Sequence, residues 1–224
     1  MEPRSVLYFA VKQPVTVPVS DETQYDTIKR QLSICLDNAP KGCDRPEIKN
    51  SLDDDRLAAV LVPLIWCDSD WQILMTKRAA HLSHHAGQIS FPGGVLDASD
   101  KGLIDTALRE AYEEISLTPT SVRVMGSLQP VRSPAGFVVQ PFVGIIGGDS
   151  FFELQPNPAE VESIFTLPLA HIGQPDNFSL VPREAVGRGN SYWVVSHSKY
   201  YIWGLSARIL NDLRQRLFHG PMLP

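Results

Sequence analysis

The sequence predicts an α+β layered domain, and three observations carry that prediction. Runs of β-branched and apolar residues stand before, between and after two helical stripes, and Pro and Gly punctuate the runs. The chain has 224 residues, 43% of them hydrophobic, enough to bury a sizeable core as one domain with a modest extension.

Taken in order, residues 1–55 read as an N-terminal extension with one helix. Asp21 with Gln24 forms a capping pair for a helix over residues 22–36, which sets Tyr25, Ile28, Leu32 and Leu36 on one side. Asn38-Ala39-Pro40-Lys41-Gly42 ends it. This segment is expected to serve packing or a homodimer contact, since it carries no recognisable chemistry. Residues 56–218 form the main domain, and 219–224 are a tail. A continuous apolar run over 58–66 predicts a buried strand, and Asp68-Ser69-Asp70 turns the chain into a second strand over 71–77. That hairpin leads towards the glycine turn Gly93-Gly94. A helix follows, with Ile104, Ala107, Leu108, Ala111 and Ile115 on one face and Glu110, Glu113 and Glu114 on another. Strands are expected over 122–129 and 137–146. The stretch 172–192, with Gly173, Pro175, Pro182, Gly187 and Gly189, predicts an irregular loop or an interrupted hairpin. Short strands over 193–195 and 200–203 precede a closing helix whose stripe is Leu205, Ile209, Leu210, Leu213 and Leu217.

Composition excludes some function classes. A formal net charge of −5 argues against a nucleic acid polymer as partner, because such binding neutralises phosphates with Lys and Arg. A small anionic substrate remains compatible, since a bound cation can dominate the local field. Cys35, Cys43 and Cys67 are few, odd in number and without zinc-ligand spacing, which fits a reducing compartment. Met1-Glu2-Pro3-Arg4 does not open as a secretory signal, no apolar run approaches a membrane span, and Pro221-Met222-Leu223-Pro224 is not a peroxisomal tripeptide. The expected location is cytoplasmic, with no membrane partner.

The chemistry concentrates at Gly93-Gly94 and the glutamate helix. Carboxylates at i, i+3 and i+4 are most often a solvated helix face, but like charges at that spacing repel unless a cation compensates. Oxygen-only ligands suit a hard divalent ion, and carboxylates combined with bridging substrate phosphates are the arrangement Mg²⁺ prefers.

These residues resemble the signature of the Nudix hydrolases, on which Gly94, Arg109, Glu110, Ala111, Glu113, Glu114 and Leu117 fall. Three positions depart from it: the first acid is Asp100 rather than Glu, its gap to Arg109 is one residue longer, and Ser116 replaces a Gly. Upstream, Leu74-Met75-Thr76-Lys77-Arg78-Ala79-Ala80-His81-Leu82, His85-Ala86-Gly87 and Phe91-Pro92-Gly93-Gly94 look like the extra motif of the coenzyme A pyrophosphatases of that family. Ser83 stands where many relatives carry a basic residue. Three further blocks, from Ser133 to Pro141, from Asn157 to Val161 and from Tyr201 to Leu210, extend the resemblance from about Arg56 to about Leu213.

The resemblance implies a Nudix-type α/β/α sandwich with a mixed β-sheet. It also implies hydrolysis of the pyrophosphate of coenzyme A or a similar small molecule with Mg²⁺ or Mn²⁺. Glu110, Glu113 and Glu114 would hold the metal, with the Gly93 carbonyl completing its shell. Arg109 belongs to the catalytic set as a brace rather than a substrate contact, paired with Asp100 or Asp97. For the base, Glu160 is one candidate, its alternative being a surface glutamate at the start of a strand; Glu113 or Glu110 is another. Arg78 reads equally as a phosphate contact or a structural ion pair, and His85 as a substrate or loop hydrogen-bonder. His81, His84 and His85 are not expected to bind metal, since Mg²⁺ favours oxygen. Arg183 and Arg188 read as a 3′-phosphate contact or as plain soluble surface. A Nudix hydrolase for ADP-ribose or another nucleoside diphosphate derivative remains open, as does a non-catalytic coenzyme A or nucleotide binding protein.

Overall fold

The computed structural model describes residues 19–36, 56–182 and 191–219. Arg183, Arg188 and Cys43 lie outside the described residues. The centre of the domain is strand β1 (Arg56–Cys67), buried along most of its length. Because side chains alternate across a strand, Ala59, Leu61 and Ile65 enter one core while Ala58, Val60, Val62 and Leu64 enter another. Burial on both faces explains why this strand reads as an unbroken apolar run.

β2 (Asp70–Arg78) returns antiparallel, with Trp66 opposite Trp71 and Cys67 opposite Asp70. The two-residue turn puts Asp68 at φ 50° and Ser69 at φ 61°, the left-handed pair that matches strand twist in a tight hairpin. Burial, then the charges of Asp68 and Asp70, push the Cys67 thiol up to about 11, so it stays protonated at neutral pH. β3 (Ile89–Ser90) pairs with β2, and β4 (Gly93–Val95) pairs with the start of β1. Helix α2 (Leu103–Ile115) then crosses one face. β5 (Val122–Ser127), β6 (Val131–Arg132) and β7 (Phe137–Ile146) follow, with β7 parallel to β1 and the other two antiparallel to β7.

After the short helix α3 (Gly148–Phe151), β8 (Val161–Pro168) pairs along β2. The sequence marks a strand starting at Glu160 but not its pairing, because β8 is only half-buried and a bulge at Lys77/Arg78 breaks its register. Helix α4 (Leu169–Gly173) leads to a second sheet of β9 (Phe178–Pro182), β10 (Ser191–Val195) and β11 (Ile202–Trp203), so the irregular stretch contains an interrupted hairpin. α5 (Gly204–Arg214) closes the chain and continues as a wider turn through Gln215–His219.

The result is an α/β/α sandwich with a mixed sheet. α2 covers one face, and α5 covers the other together with α1 (Val19–Cys35). α1 packs on its own domain: Tyr25 stacks on Trp71 at 5.0 Å, Leu32 is fully buried, and Arg216 donates to the Cys35 carbonyl at 2.9 Å. Burying a side chain such as Leu32 is worth about 1.5–3 kcal/mol, enough to hold a marginal helix in place. Among the described residues, no helix is long and apolar enough to cross a membrane.

Candidate active site

α2 is held at both ends by local chemistry. At its start, the Thr106 N–H donates to the Gly102 carbonyl at 3.1 Å, and the buried Thr106 hydroxyl donates to Asp100 Oδ2 at 2.8 Å. At its end, Ser116 adopts the left-handed conformation, φ 57°, and the Ser116 and Leu117 N–H groups bond back to the Tyr112 and Ala111 carbonyls. That cap favours glycine, so Ser116 costs about 1 kcal/mol relative to the residue the family pattern has there.

The brace is Asp100 with Arg109. Arg109 donates from Nε to Asp100 Oδ1 at 2.8 Å and from Nη2 to Oδ2 at 3.0 Å, a fork that fits the planar guanidinium. Its other donors reach Glu110 at 2.9 Å, Glu113 at 3.1 Å and the Val95 carbonyl at 3.3 Å, so all five N–H groups are engaged. Arg109 therefore positions carboxylates and has no donor left for a ligand. The hydrogen bonds from Arg109 hold the Asp100 carboxyl down at about 2. Asp97, the other candidate, instead accepts the Ser99 N–H at 2.8 Å and its hydroxyl at 2.7 Å, which lowers its own pKa. The Asp-x-Ser spacing was the available signal for that local turn.

The glycines of β4 seat the carboxylates. Gly94 lies opposite Ala59 on the α2 face, and an added Cβ there would overlap the Glu110 carboxylate. An added Cβ at Gly93 would overlap the backbone at Ala59 and Val60. Burial raises the pKa of Glu110, with Arg109 opposing and Glu113 and Glu160 adding to the rise. Glu114 is 2% exposed, and burial pushes its carboxyl up to about 8, opposed by Arg78 and a hydrogen bond from the Gly93 backbone and reinforced by Glu160 and Glu110. Its Oε1 lies 3.6 Å from Arg78 Nη1, while its Oε2 and Arg78 Nε are buried without partners. Glu113 faces outward, its side chain 51% exposed.

The rim is tied to this centre by backbone. The Asn157 N–H donates to the Glu114 carbonyl at 2.8 Å, and the Ala79 N–H to the Glu160 carbonyl at 2.8 Å. Thus α2, the 157–160 turn and the 79–88 loop meet at one place, and Glu160 stands at the start of β8 close enough for its charge to act on Glu110 and Glu114. His81 Nε2 donates to the Ala159 carbonyl at 3.1 Å, and His85, at φ 58°, donates from Nδ1 to Gln88 Oε1 at 2.9 Å. Both histidines fasten the loop. A groove of about 390 Å³ lies elsewhere, in the turn from Val194 to Tyr201, and contains none of these carboxylates.

A divalent cation fits the donors present. Among the described residues no three His, Cys, Asp or Glu side chains are grouped so as to hold a metal ion by themselves. Mg²⁺ does not require such a group, since it keeps several waters and takes one or two carboxylates plus substrate phosphates. The unpartnered Glu114 Oε2, with the charges of Glu110 and Glu160 nearby, is the feature that a cation would satisfy.

The chain is similar to known proteins. A family model described as the NUDIX domain matches residues 55–186. An uncharacterized Nudix hydrolase NudL of Salmonella heidelberg (strain SL476) is 41% identical over 171 residues, covering 75% of this chain and 86% of that one. The uncharacterized Nudix hydrolase NudL of Photorhabdus laumondii is 39% identical over 172 residues, covering 77% and 90%. Among solved structures, the NUDIX domain of Shewanella oneidensis NrtR complexed with ADP ribose is similar at a TM-score of 0.44 and 22% identity, covering 56% of this chain and 80% of that one.

Proposed function

The chain belongs to the Nudix hydrolase family, and on that premise we propose that its substrate is coenzyme A or an acyl-coenzyme A. The products are adenosine 3′,5′-bisphosphate and 4′-phosphopantetheine or its acyl form. The observation that supports this substrate is the seating of the 79–88 loop. The segment that resembles the coenzyme A pyrophosphatase motif borders the carboxylates directly, through Ala79 on Glu160 and Arg78 beside Glu114.

Glu110 and Glu114, with the Gly93 carbonyl and Glu113 at the outer edge, would hold Mg²⁺ or Mn²⁺. When bound, the cation offsets the negative charge of the two phosphates and makes water a better nucleophile near neutral pH. Glu160 would take a proton from the attacking water, a role supported by the action of its charge on Glu110 and Glu114 from a separate turn. Arg109 fixes Glu110 and Glu113 and does not touch substrate. Arg78 would offer a guanidinium to a phosphate oxygen from the end of β2, and His85 fastens the loop that follows it.

The test is incubation of the purified protein with Mg²⁺ or Mn²⁺ and coenzyme A, acetyl-coenzyme A, ADP-ribose, NADH or nucleoside triphosphates, with products identified by mass. Preferred cleavage of ADP-ribose would overturn the coenzyme A assignment, and tight coenzyme A binding without products in either metal would overturn hydrolysis. Glu114→Gln is expected to keep the fold and lose at least about 100-fold in kcat. Wild-type turnover in that variant would remove Glu114 from the metal site.

A further inference from the structure

We infer that Arg78 occupies the electrostatic place of the divalent cation at Glu114 while the cation is absent, and is released to the substrate diphosphate when the cation arrives. This rests on the hydrolase reading above, in which Glu114 is a metal ligand and Arg78 meets phosphate. The geometry of the pair is that of a placeholder. Arg78 Nη1 stands 3.6 Å from Glu114 Oε1, within reach of charge attraction but beyond a hydrogen bond. Each partner keeps a buried polar atom unsatisfied, Arg78 Nε and Glu114 Oε2. A structural ion pair at this depth normally satisfies those atoms, because each one left unpaired costs free energy. Arg109, a few residues away on α2, shows the satisfied form, with every donor used.

The two members also differ in freedom. The Glu114 side chain is 3% exposed, whereas the Arg78 side chain is 25% exposed. The Arg78 backbone is fixed, with its N–H on the Gln88 carbonyl at 2.9 Å and its own carbonyl accepting from Gly87 at 3.2 Å. Only its side chain can swing. A divalent ion at Glu114 brings two positive charges against one, repels the guanidinium and leaves its fork facing solvent, where two phosphate oxygens match it. Cation and diphosphate then assist each other through Arg78 as well as by direct contact, and that assistance must be reciprocal.

The test needs no turnover, so it stands or falls separately from the coenzyme A assignment. Mn²⁺ binding is measured on the alkaline plateau of its pH dependence, so that proton release does not enter, by the spin-resonance signal of free Mn²⁺, with and without the non-hydrolysable α,β-methylene analogue of ADP, in wild type, Arg78→Gln and Arg78→Lys. In Arg78→Gln, Mn²⁺ alone is expected to bind more tightly, by about 5-fold, because no resident cation must leave, while the mutual enhancement between Mn²⁺ and the analogue shrinks by a similar factor. Equal or weaker Mn²⁺ binding in that variant would mean that Arg78 only supports Glu114, and would overturn the inference. If Arg78→Gln fails to fold, Arg78→Lys decides: it keeps the charge without the fork, so Mn²⁺ affinity should hold within about twofold while analogue affinity falls at least about 5-fold. Unchanged analogue affinity would overturn the inference equally.

Discussion

Asp100 lies one residue further from Arg109 than the family pattern places its acid, yet it reaches both edges of the guanidinium. The turn between Asp97 and Asp100 absorbs the extra residue, with the Asp100 N–H on the Asp97 carbonyl at 3.1 Å and the Asp97 N–H on Asp100 Oδ2 at 3.0 Å. A carboxyl held at about 2 in the folded chain and near 3.8 when unfolded contributes stability that is present above 3.8 and lost as pH falls towards 2. Discounted for solvent screening, that contribution is about 1–2 kcal/mol. Urea unfolding of the wild type should therefore lose about this amount between pH 4 and pH 2. Asp100→Asn should lack that component and be about 2–3 kcal/mol less stable at pH 7, because Arg109 loses its fork. Parallel pH profiles in the two proteins would show that Asp100 is not the brace.

At the scale of elements, β4 matters more than its three residues suggest, since its two glycines bring β1 and α2 within reach of each other. Gly94→Ala should leave the sheet paired but displace Glu110, lowering Mn²⁺ affinity by about 10-fold or more. Unaltered metal binding and kcat would mean that Glu110 has another place to go. The elements legible in the sequence were those whose signal is local: the Asp68-Ser69 turn, the apolar alternation of α2 and the closing stripe of α5. Of β8 only the start was legible, as a strand after Glu160; its pairing was not, because its partner β2 lies about 90 residues away in sequence and a bulge disrupts the pattern. The site divided in the same way. Glu110 and Glu114 follow from helical spacing. The outward tilt of Glu113, the full engagement of Arg109 and the pairing of Arg78 with Glu114 depend on how α2 is set against β2 and β4, which spacing within one helix does not encode.

For the whole molecule, the buried Glu114 links stability, pH and metal. Burial lifts its carboxyl to about 8 without metal, above its ordinary 4.5, so the folded chain binds the proton more tightly than the unfolded one. Its contribution is then fully present below 4.5 and is lost as pH rises through 8. A cation reverses the preference, because it favours the ionised carboxylate and binds only the folded arrangement. In chelator, the Glu114 component should lower the Tm from pH 5 to pH 8. Mn²⁺ at about 100 times its Kd should add about 2.7 kcal/mol. For a chain of this length that corresponds to a rise of about 5–10 °C. At one fixed Mn²⁺ concentration the rise should be larger at pH 8 than at pH 5, where the metal must first displace a proton. Glu114→Gln should flatten the pH trend in chelator and abolish most of the Mn²⁺ shift, as followed by thermal unfolding. Equal shifts at the two pH values, or a full Mn²⁺ shift in the variant, would place the cation on carboxylates other than Glu114.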